Sequence, residues 1–274
     1  MDKAHKQTDK ILEGLEYALK KMYSDRFKEL KKEVKEIYAE MDLSKAKTPI
    51  ERYVLAQKYK RLKKLEENFA VGLNETNKQA VKETNKQLFK VYKKNYAHGL
   101  DNLAVLLAIT IPNKYEKPET KAEIEKGQPP YNQIAVDNMK DMHDLRKSVN
   151  KQVIDGIMQG ETVEDLVDRL KDVVEMKLSD ITRIARTQTT RLENKGRFDA
   201  YKAGAEMGYD LVKQWVAVGD DKTRDAHNHA NGQVVDYDKP FIVDGEELMY
   251  PGDPNGSAGN VINCRCTMVA GLKN

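Results

Sequence analysis

The sequence of 274 residues contains only two cysteines, Cys264 and Cys266, and a single residue separates them. That spacing is poor for a mutual disulfide, so no disulfide framework is expected and synthesis in a reducing compartment is favoured. Proline and glycine are also scarce, at 8 and 16 residues, whereas 33% of the chain is charged and 39% is hydrophobic. This composition favours an ordered, mainly helical protein over a disordered one.

Long apolar runs are missing as well. The longest run, 103–111, is interrupted by Thr110 and is shorter than the roughly 18 to 20 residues that span a bilayer, so we expect no membrane segment. Residues 1–6 lack the apolar core of a signal peptide. We therefore expect the chain to be made and kept in a cytoplasm.

A strong excess of either charge is lacking too. The 47 Lys and Arg residues face 44 Asp and Glu residues, and the net charge of +3 is too small to attract polyanions to the whole protein. Lysine pairs such as Lys31-Lys32 and Lys63-Lys64 stand among glutamates, which is typical of solvated helix faces. An alternative stays open, in which these lysine-rich helices form a non-specific DNA-binding module.

The first 111 residues predict long helices. A stripe of apolar residues with the spacing of one helix face occurs at Ile11, Leu15, Ala18, Met22, Leu30, Val34, Ile37 and Met41. Thr48, Pro49 and Glu51 then form a helix start, and a second long helix is predicted from there to about His98-Gly99. We expect the stripe to bury against this second helix, with a partner protein as the alternative.

Prolines mark a connection over 112–130. The predicted organisation is therefore a long-helix N-terminal region over 1–111, this connection, and a C-terminal domain over 131–274. Helix starts are predicted at Thr162 and again at Ser179. Short β-prone segments follow Gly208, at 211–218, 234–235, 241–243, 248–250 and 267–269.

Together these patterns predict an α+β fold, in which long N-terminal helices precede a C-terminal domain of helices packed on a small, mostly antiparallel β-sheet. Four motifs then follow one another in the C-terminal part of the chain. They are Ile184-Ala185-Arg186-Thr187 with Arg191, then Trp215, then Asp221-Lys222-Thr223-Arg224-Asp225-Ala226-His227, and finally Asn263-Cys264-Arg265-Cys266.

This order resembles the phage Mu F-like minor head protein (phage head morphogenesis) family, over roughly residues 135–270. The resemblance implies a minor capsid protein of a tailed phage or prophage, inside the virion head at the portal vertex. Such a protein would bind portal, capsid and scaffold proteins and act in head assembly or in DNA packaging and ejection. It implies no enzyme activity, no membrane and no small-molecule substrate, and contact with packaged DNA would be non-specific.

The closely spaced thiols allow two interpretations. In the first, His227, Cys264 and Cys266 bind zinc, with His229 or Asp221 as a further donor. Many members of the family carry Cys-x-x-Cys where this chain has Arg224 and His227, so the full ligand set is lacking. In the second, which residue frequencies favour, the thiols pack as small apolar groups, and hydrogen bonds from His227 and Arg224 hold the 221–231 turn on the sheet. Apart from zinc, no cofactor is expected.

The cluster of metal-binding residue types also allows a hydrolase as an alternative function. Asp221, His227, Cys264 and Cys266 could hold a metal for phosphodiester hydrolysis, as in a nuclease. The sequence lacks a His-Glu-x-x-His motif, a phosphate loop and a Gly-x-Ser-x-Gly motif, which speaks against catalysis.

Two further expectations concern single residues of this region. Arg186 is expected either to form a bidentate pair with Asp220 or Asp221 or to lie exposed, like Arg191 and Arg197. Trp215 is expected in the core.

Overall fold

The computed structural model of the chain describes residues 2–41, 43–57, 60–108, 134–135 and 138–273. Two compact units divide the chain. Among the described residues, the first takes 2–15, 84–108 and 183–273, and the second takes 16–41, 43–57, 60–83, 134–135 and 138–182. The predicted connection at 112–130 lies outside the described residues, so the predicted domain boundary stays a prediction.

Five long or medium helices make up most of the described structure. They are α1 (Lys3–Ala39), α2 (Pro49–Gln57), α3 (Arg61–Leu106), α4 (Asn138–Gln159) and α5 (Val163–Glu206), with a short 3₁₀ turn at Leu43–Lys45. Within the described ranges, none of the helices combines the length and apolar character that crossing a bilayer requires.

Two of these helices begin at reciprocal caps that the sequence predicted. At α2, the Thr48 hydroxyl accepts a hydrogen bond from the Glu51 amide (3.2 Å), and the Glu51 carboxylate accepts one from the Thr48 amide (3.3 Å). At α5, Thr162 and Asp165 exchange the same pair of bonds, at 3.2 and 3.0 Å. Each pair satisfies amide groups that have no partner within the helix.

Three predicted helix boundaries were wrong. The second helix is not continuous, because Lys60 has a positive φ of 55° and separates α2 from α3. Helix α3 does not end at Gly99 but runs on to Leu106. No new helix begins at Ser179, which lies inside α5. The sequence around Ser179 contains a cap-like motif but no glycine or proline that would end the preceding helix.

In the second unit, the apolar stripe of α1 is covered within the chain. Leu30, Val34, Ile37 and Met41 are all buried. Burial against the second helix, and not against a partner protein, was the favoured prediction. Leu19 and Tyr23 are buried in place of the predicted Ala18 and Met22, which are half-buried. Tyr23 also donates a hydrogen bond to Asn77 on α3 (3.1 Å), and Arg52 on α2 donates to the Ile157 carbonyl at the end of α4 (3.0 Å).

In the first unit, glycines let two helices approach closely. A Cβ atom at Gly99 on α3 would lie 2.5 Å from the Ala200 Cβ on α5. A Cβ at Gly196 on α5 would lie 2.7 Å from the Tyr92 carbonyl oxygen and 2.9 Å from the Tyr96 amide nitrogen on α3. Gly99 therefore allows close packing of α3 against α5, and it does not end α3.

The strands belong to the first unit. Strand β1 (Leu211–Val216) lies between β2 (Val234–Asp236) and β5 (Thr267–Leu272), and both pairings are antiparallel. Strands β3 (Phe241–Val243) and β4 (Glu246–Leu248) form a separate hairpin. Two short helices complete the unit, α6 (Asp225–Ala230) and α7 (Ala258–Val261). The predicted small antiparallel sheet is thus confirmed.

One strand lies two residues earlier than predicted. We predicted a strand at 248–250, whereas β4 is Glu246–Leu248. The hairpin turn explains the difference, because Asp244 and Gly245 both have positive φ, 52° and 76°. Asp-Gly in this conformation forms a two-residue turn, so β4 must start immediately afterwards.

Candidate functional site

The structure brings His227, Cys264 and Cys266 together in the interior of the first unit. Each is only 2% exposed, and their ligand atoms all lie within 4.8 Å of one another. His227 Nδ1 is 3.4 Å from Cys266 Sγ and 3.7 Å from Cys264 Sγ. The Cys266 amide also donates to Cys264 Sγ (3.4 Å). We call these three residues the thiol–imidazole cluster.

The turn before α6 positions His227. The Thr223 hydroxyl accepts hydrogen bonds from the Gly219 and Asp220 amides and donates to the Asp220 carboxylate (2.9 Å). These contacts fold residues 219–223 into a compact turn, and α6 starts directly after it at Asp225. His227 therefore lies in the first turn of α6, on its buried side.

Two arginines join this turn to the segment that carries the thiols. Arg265 makes a bidentate ion pair with Asp220, at 2.5 and 2.7 Å, and Arg224 donates to the Ile262 carbonyl. The pKa of Asp220 is held well below its usual range, chiefly by the hydrogen bond from Arg265. Arg224 was predicted to hold the turn on the sheet; its bond reaches the Ile262 carbonyl, which lies before β5 and outside the sheet.

A bidentate pair of Arg186 with Asp220 or Asp221 was one of two expectations, the other being exposure; the pair that the structure shows at Asp220 is with Arg265. Arg265 stands between Cys264 and Cys266 in the sequence, so its pair with Asp220 ties the thiol-bearing segment to the turn. Arg186 is exposed on α5. Arg197 was also expected to lie exposed, but it is fully buried.

A polar stripe on α5 holds the thiol-bearing segment from the other side. The Thr187 hydroxyl accepts the Asn263 amide (3.1 Å), and the Thr190 hydroxyl donates to the Cys264 carbonyl. The Asn194 side chain donates to the Cys266 carbonyl (3.0 Å) and Arg197 to the Met268 carbonyl (3.1 Å). Spacings of three, four and three residues place Thr187, Thr190, Asn194 and Arg197 on one helix face.

These bonds cover an open sheet edge. Strand β5 pairs with β1 on one side only, so carbonyls on its other side would lack a strand partner. The Met268 carbonyl belongs to β5, and the Cys264 and Cys266 carbonyls belong to the segment that leads into it. Side chains of α5 take the place of a neighbouring strand for them, which fixes the backbone on which both thiols sit.

Trp215 forms the apolar wall of the cluster and is fully buried, as predicted. Its ring meets the His227 ring edge-on, with centroids 5.7 Å apart, and the Phe241 ring likewise at 5.3 Å. Trp215 lies opposite Met268 in the β1–β5 pairing. The two aromatic rings cover the histidine ring, and among the described residues His227 Nε2 has no hydrogen-bond partner.

The surroundings push the pKa values of the two thiols apart. A hydrogen bond from Cys266, together with one from His227, lowers the pKa of Cys264 despite its burial. The same bond to Cys264, together with burial, raises the pKa of Cys266. One thiol is thus favoured as thiolate while its neighbour keeps its proton.

Two predicted donors stay apart from the cluster. Asp221 and His229 are exposed, and neither belongs to the group of ligand atoms that converge on the thiols. The four-residue set of Asp221, His227, Cys264 and Cys266 that the hydrolase alternative requires is therefore not assembled.

Sequence reasoning missed a second buried polar group in the same unit. Arg197 pairs with Asp2 (2.6 Å) and with Glu193 (3.1 Å), and Glu193 also accepts from Thr267 (3.0 Å). His5 Nδ1 lies 2.8 Å from the same Glu193 oxygen. The three-four-three spacing of polar residues on α5 was the available signal, but it does not identify the partners at the start of the chain.

This architecture defines a class, an α+β protein in which a helix and an acidic turn enclose a cysteine-rich end of a small sheet. Residues 147–269 match the family described as Phage Mu protein F like protein. The resemblance predicted from the four motifs is thereby confirmed over these residues.

Three curated proteins illustrate the similarity. The chain is 22% identical over 265 residues to Minor head protein GP7 of Bacillus phage SPP1, covering 96% of this chain and 84% of that protein. It is 21% identical over 282 residues to Uncharacterized protein YqbB of Bacillus subtilis (strain 168), covering 96% and 90%. It is 29% identical over 126 residues to NAD(+)--arginine ADP-ribosyltransferase EFV of Enterococcus faecalis (strain ATCC 700802 / V583).

The last match is partial, because it covers 46% of this chain and the chain spans only 26% of that protein's length. No solved structure matches the chain significantly. The family and the minor head protein relative support a phage head protein.

Proposed function

We propose that the chain is a minor head protein of a tailed phage or prophage, that it associates with the portal vertex inside the virion head, and that it acts in head assembly or in DNA packaging and ejection. The observation that carries this proposal is the match to the SPP1 minor head protein, because it extends over 96% of this chain and 84% of that protein. A match of this extent includes the N-terminal helices, which the motifs do not cover.

The contacts within the first unit support a structural role. Several of its motif residues bind backbone groups, as Arg224 does with the Ile262 carbonyl and Thr187 with the Asn263 amide. The thiol–imidazole cluster is closed off beneath Trp215, with its three members each 2% exposed. A polymeric substrate such as DNA would need an open site, so this cluster favours a structural function over hydrolysis.

Co-expression tests the proposal. The tagged full-length chain is produced with the portal protein and the scaffold and major capsid proteins from its own gene cluster, and particles are separated by sedimentation. The chain is expected to sediment with portal-containing procapsids and to be lost when the portal gene is omitted. A tail protein with the same tag serves as control. Recovery of a folded chain only in the soluble fraction, with or without portal, would contradict the proposal.

One surface of the second unit favours a second role, contact with packaged DNA. A groove between α3 and α4 is lined by Lys63 from α3 and by Arg146, Lys147 and Lys151 from α4. These four cations outnumber the two glutamates in the same groove, Glu66 and Glu67. A groove of this charge suits the phosphate backbone and carries no information about base sequence.

Binding to short duplexes of unrelated sequence, followed by fluorescence anisotropy, tests this role. Lys147→Glu with Lys151→Glu is expected to weaken binding on the order of tenfold or more and to reduce its salt dependence. The matched control is Lys20→Glu, an exposed lysine on α1. Equal affinity of both variants would argue against the groove as the contact site.

A further inference from the structure

The three ligand atoms of the thiol–imidazole cluster cannot all be satisfied by hydrogen bonds to one another. Both sulfurs lie within 3.7 Å of His227 Nδ1. A neutral imidazole nitrogen has one lone pair and accepts one hydrogen bond, so only one thiol can be paired through it. A metal ion placed between the three atoms would accept one lone pair from each of them.

The distances match those of a tetrahedral metal centre. With a Zn–S distance of about 2.3 Å, a Zn–N distance of about 2.05 Å and tetrahedral angles, a sulfur and a nitrogen on the same ion lie about 3.6 Å apart. The two observed distances, 3.4 and 3.7 Å, lie on either side of that value. The spread of all three ligand atoms, within 4.8 Å, also fits one ion.

The chemistry of the donors narrows the choice of metal. Two thiolates and one imidazole are soft and borderline ligands, which suit zinc and not magnesium or calcium. The three residues of the cluster are each only 2% exposed. Charged thiolates are unfavourable in such a buried place, so a bound cation that neutralises them is favoured. We therefore propose that His227 through Nδ1, together with Cys264 and Cys266, binds one Zn²⁺ ion, with a small exogenous ligand such as water in the fourth position.

Such an ion would have a structural task. His227 belongs to α6, and both cysteines lie in the segment that leads into β5, so a shared metal would cross-link the turn and the edge strand. That cross-link lies beside the Asp220–Arg265 pair and acts between the same two segments. The proposal does not depend on a role in the phage head, because it concerns only how this unit is held together.

Metal content and spectroscopy test the proposal. The full-length chain is purified from zinc-supplemented medium under reducing conditions, and its zinc content is measured by mass spectrometry. One zinc per chain is expected, together with intense visible bands and a thiolate charge-transfer band after replacement with CoCl₂. Cys264→Ser and Cys266→Ser should each lower zinc content at least fivefold. His229→Gln, an exposed histidine on the same helix, should leave it unchanged.

A second measurement uses the unaltered protein, in case the serine variants unfold. ZnCl₂ should slow alkylation of the two cysteines by iodoacetamide at least tenfold, and EDTA should restore the rate. Zinc-free wild-type protein with no cobalt charge-transfer band, no protection of its thiols and an unchanged melting temperature on adding ZnCl₂ would overturn the proposal. The cluster would then be a hydrogen-bonded thiol pair only.

Discussion

The side-chain amide of Asn194 donates to the Cys266 carbonyl at 3.0 Å and to the Thr190 carbonyl at 2.9 Å. The first bond belongs to the stripe with which α5 covers the open edge of β5, and the second keeps the amide in position within its own helix. All three residues are buried, so water cannot replace either bond. A helix thus performs here what a neighbouring strand performs inside a larger sheet.

Asn194→Leu tests the importance of this edge. The substitution keeps the volume but leaves the Cys266 carbonyl buried without its donor, which costs about 1 to 3 kcal/mol. We expect the free energy of unfolding in urea to fall by that amount. Ser179→Ala, at an exposed position of the same helix, should change it by less than about 0.5 kcal/mol. Equal stability of the two variants would show that α5 does not support the edge.

Gly196 offers a sharper test of helix packing. A Cβ atom there would lie 2.7 Å from the Tyr92 carbonyl oxygen, and backbone on both sides would have to shift. Gly196→Ala should therefore destabilise by about 1 to 3 kcal/mol, although alanine favours helix. Gly14→Ala is the matched control, because nothing lies within 4 Å of a Cβ at Gly14. It should stabilise by up to about 1 kcal/mol, as thermal melts would show.

The comparison of Gly99 and Gly196 also shows what the sequence could predict. Local signals were read correctly where the partner lies nearby in sequence, as with the Thr48–Glu51 cap. Gly99 was wrongly predicted to end a helix. The glycine is explained by its contact with Ala200, which lies 101 residues further along the sequence. Local periodicity carries no information about such contacts.

The same distinction applies to the cluster. His227, Cys264 and Cys266 could be grouped from residue type alone, since few other residues offer those ligands. Their holding partners could not, because Thr190 and Asn194 are ordinary helix residues whose role depends on the position of the β5 edge. Arg265 was likewise not singled out as the partner of Asp220, because nothing in its spacing distinguishes it from Arg186.

The contact between His5 and Glu193 should make stability depend on pH. Burial acts to lower the pKa of His5, but the hydrogen bond and charge of Glu193 raise it above its usual 6.5. A raised pKa means that the ion pair contributes fully below about pH 6.5 and that this contribution is lost as pH rises through the folded pKa. His5→Gln should therefore lose more stability at pH 6 than at pH 9, measured by urea unfolding. A loss that is equal at both values would contradict the ion pair.

Asp2 should show the opposite dependence. Burial acts to raise its pKa, but hydrogen bonds from Arg197 and His5 and the charge of Arg197 hold it well below 3.8. A depressed pKa contributes stability above the unfolded value, and this contribution is lost as pH falls through the folded one. Asp2→Asn should therefore be destabilised at pH 7 and approach the wild type at pH 2 to 3. The exposed Asp25→Asn provides the control.

Lys213 gives the clearest alkaline prediction, because a lysine with no exposed surface sits between two aromatic rings. Its ammonium donates to the Met249 carbonyl (2.7 Å) and lies 5.0 and 5.1 Å from the ring centres of Phe198 and Phe241. Burial nevertheless lowers the pKa of Lys213 to about 8. Between pH 8 and the unfolded value of 10.5 the unfolded chain binds more protons, so stability should rise with pH in this window.

Lys213→Met removes this proton and therefore the rise. From pH 7 to pH 10, the free energy of unfolding of the wild type should increase by roughly 1 to 3 kcal/mol relative to that of the variant. The loss of the bond to Met249 affects the variant at both pH values, so it does not produce this change. Guanidinium unfolding at the two pH values measures the shift. The exposed Lys222→Met should show none, because its side chain is solvated in both states. No shift in the Lys213→Met variant would mean that folding does not lower the pKa of Lys213.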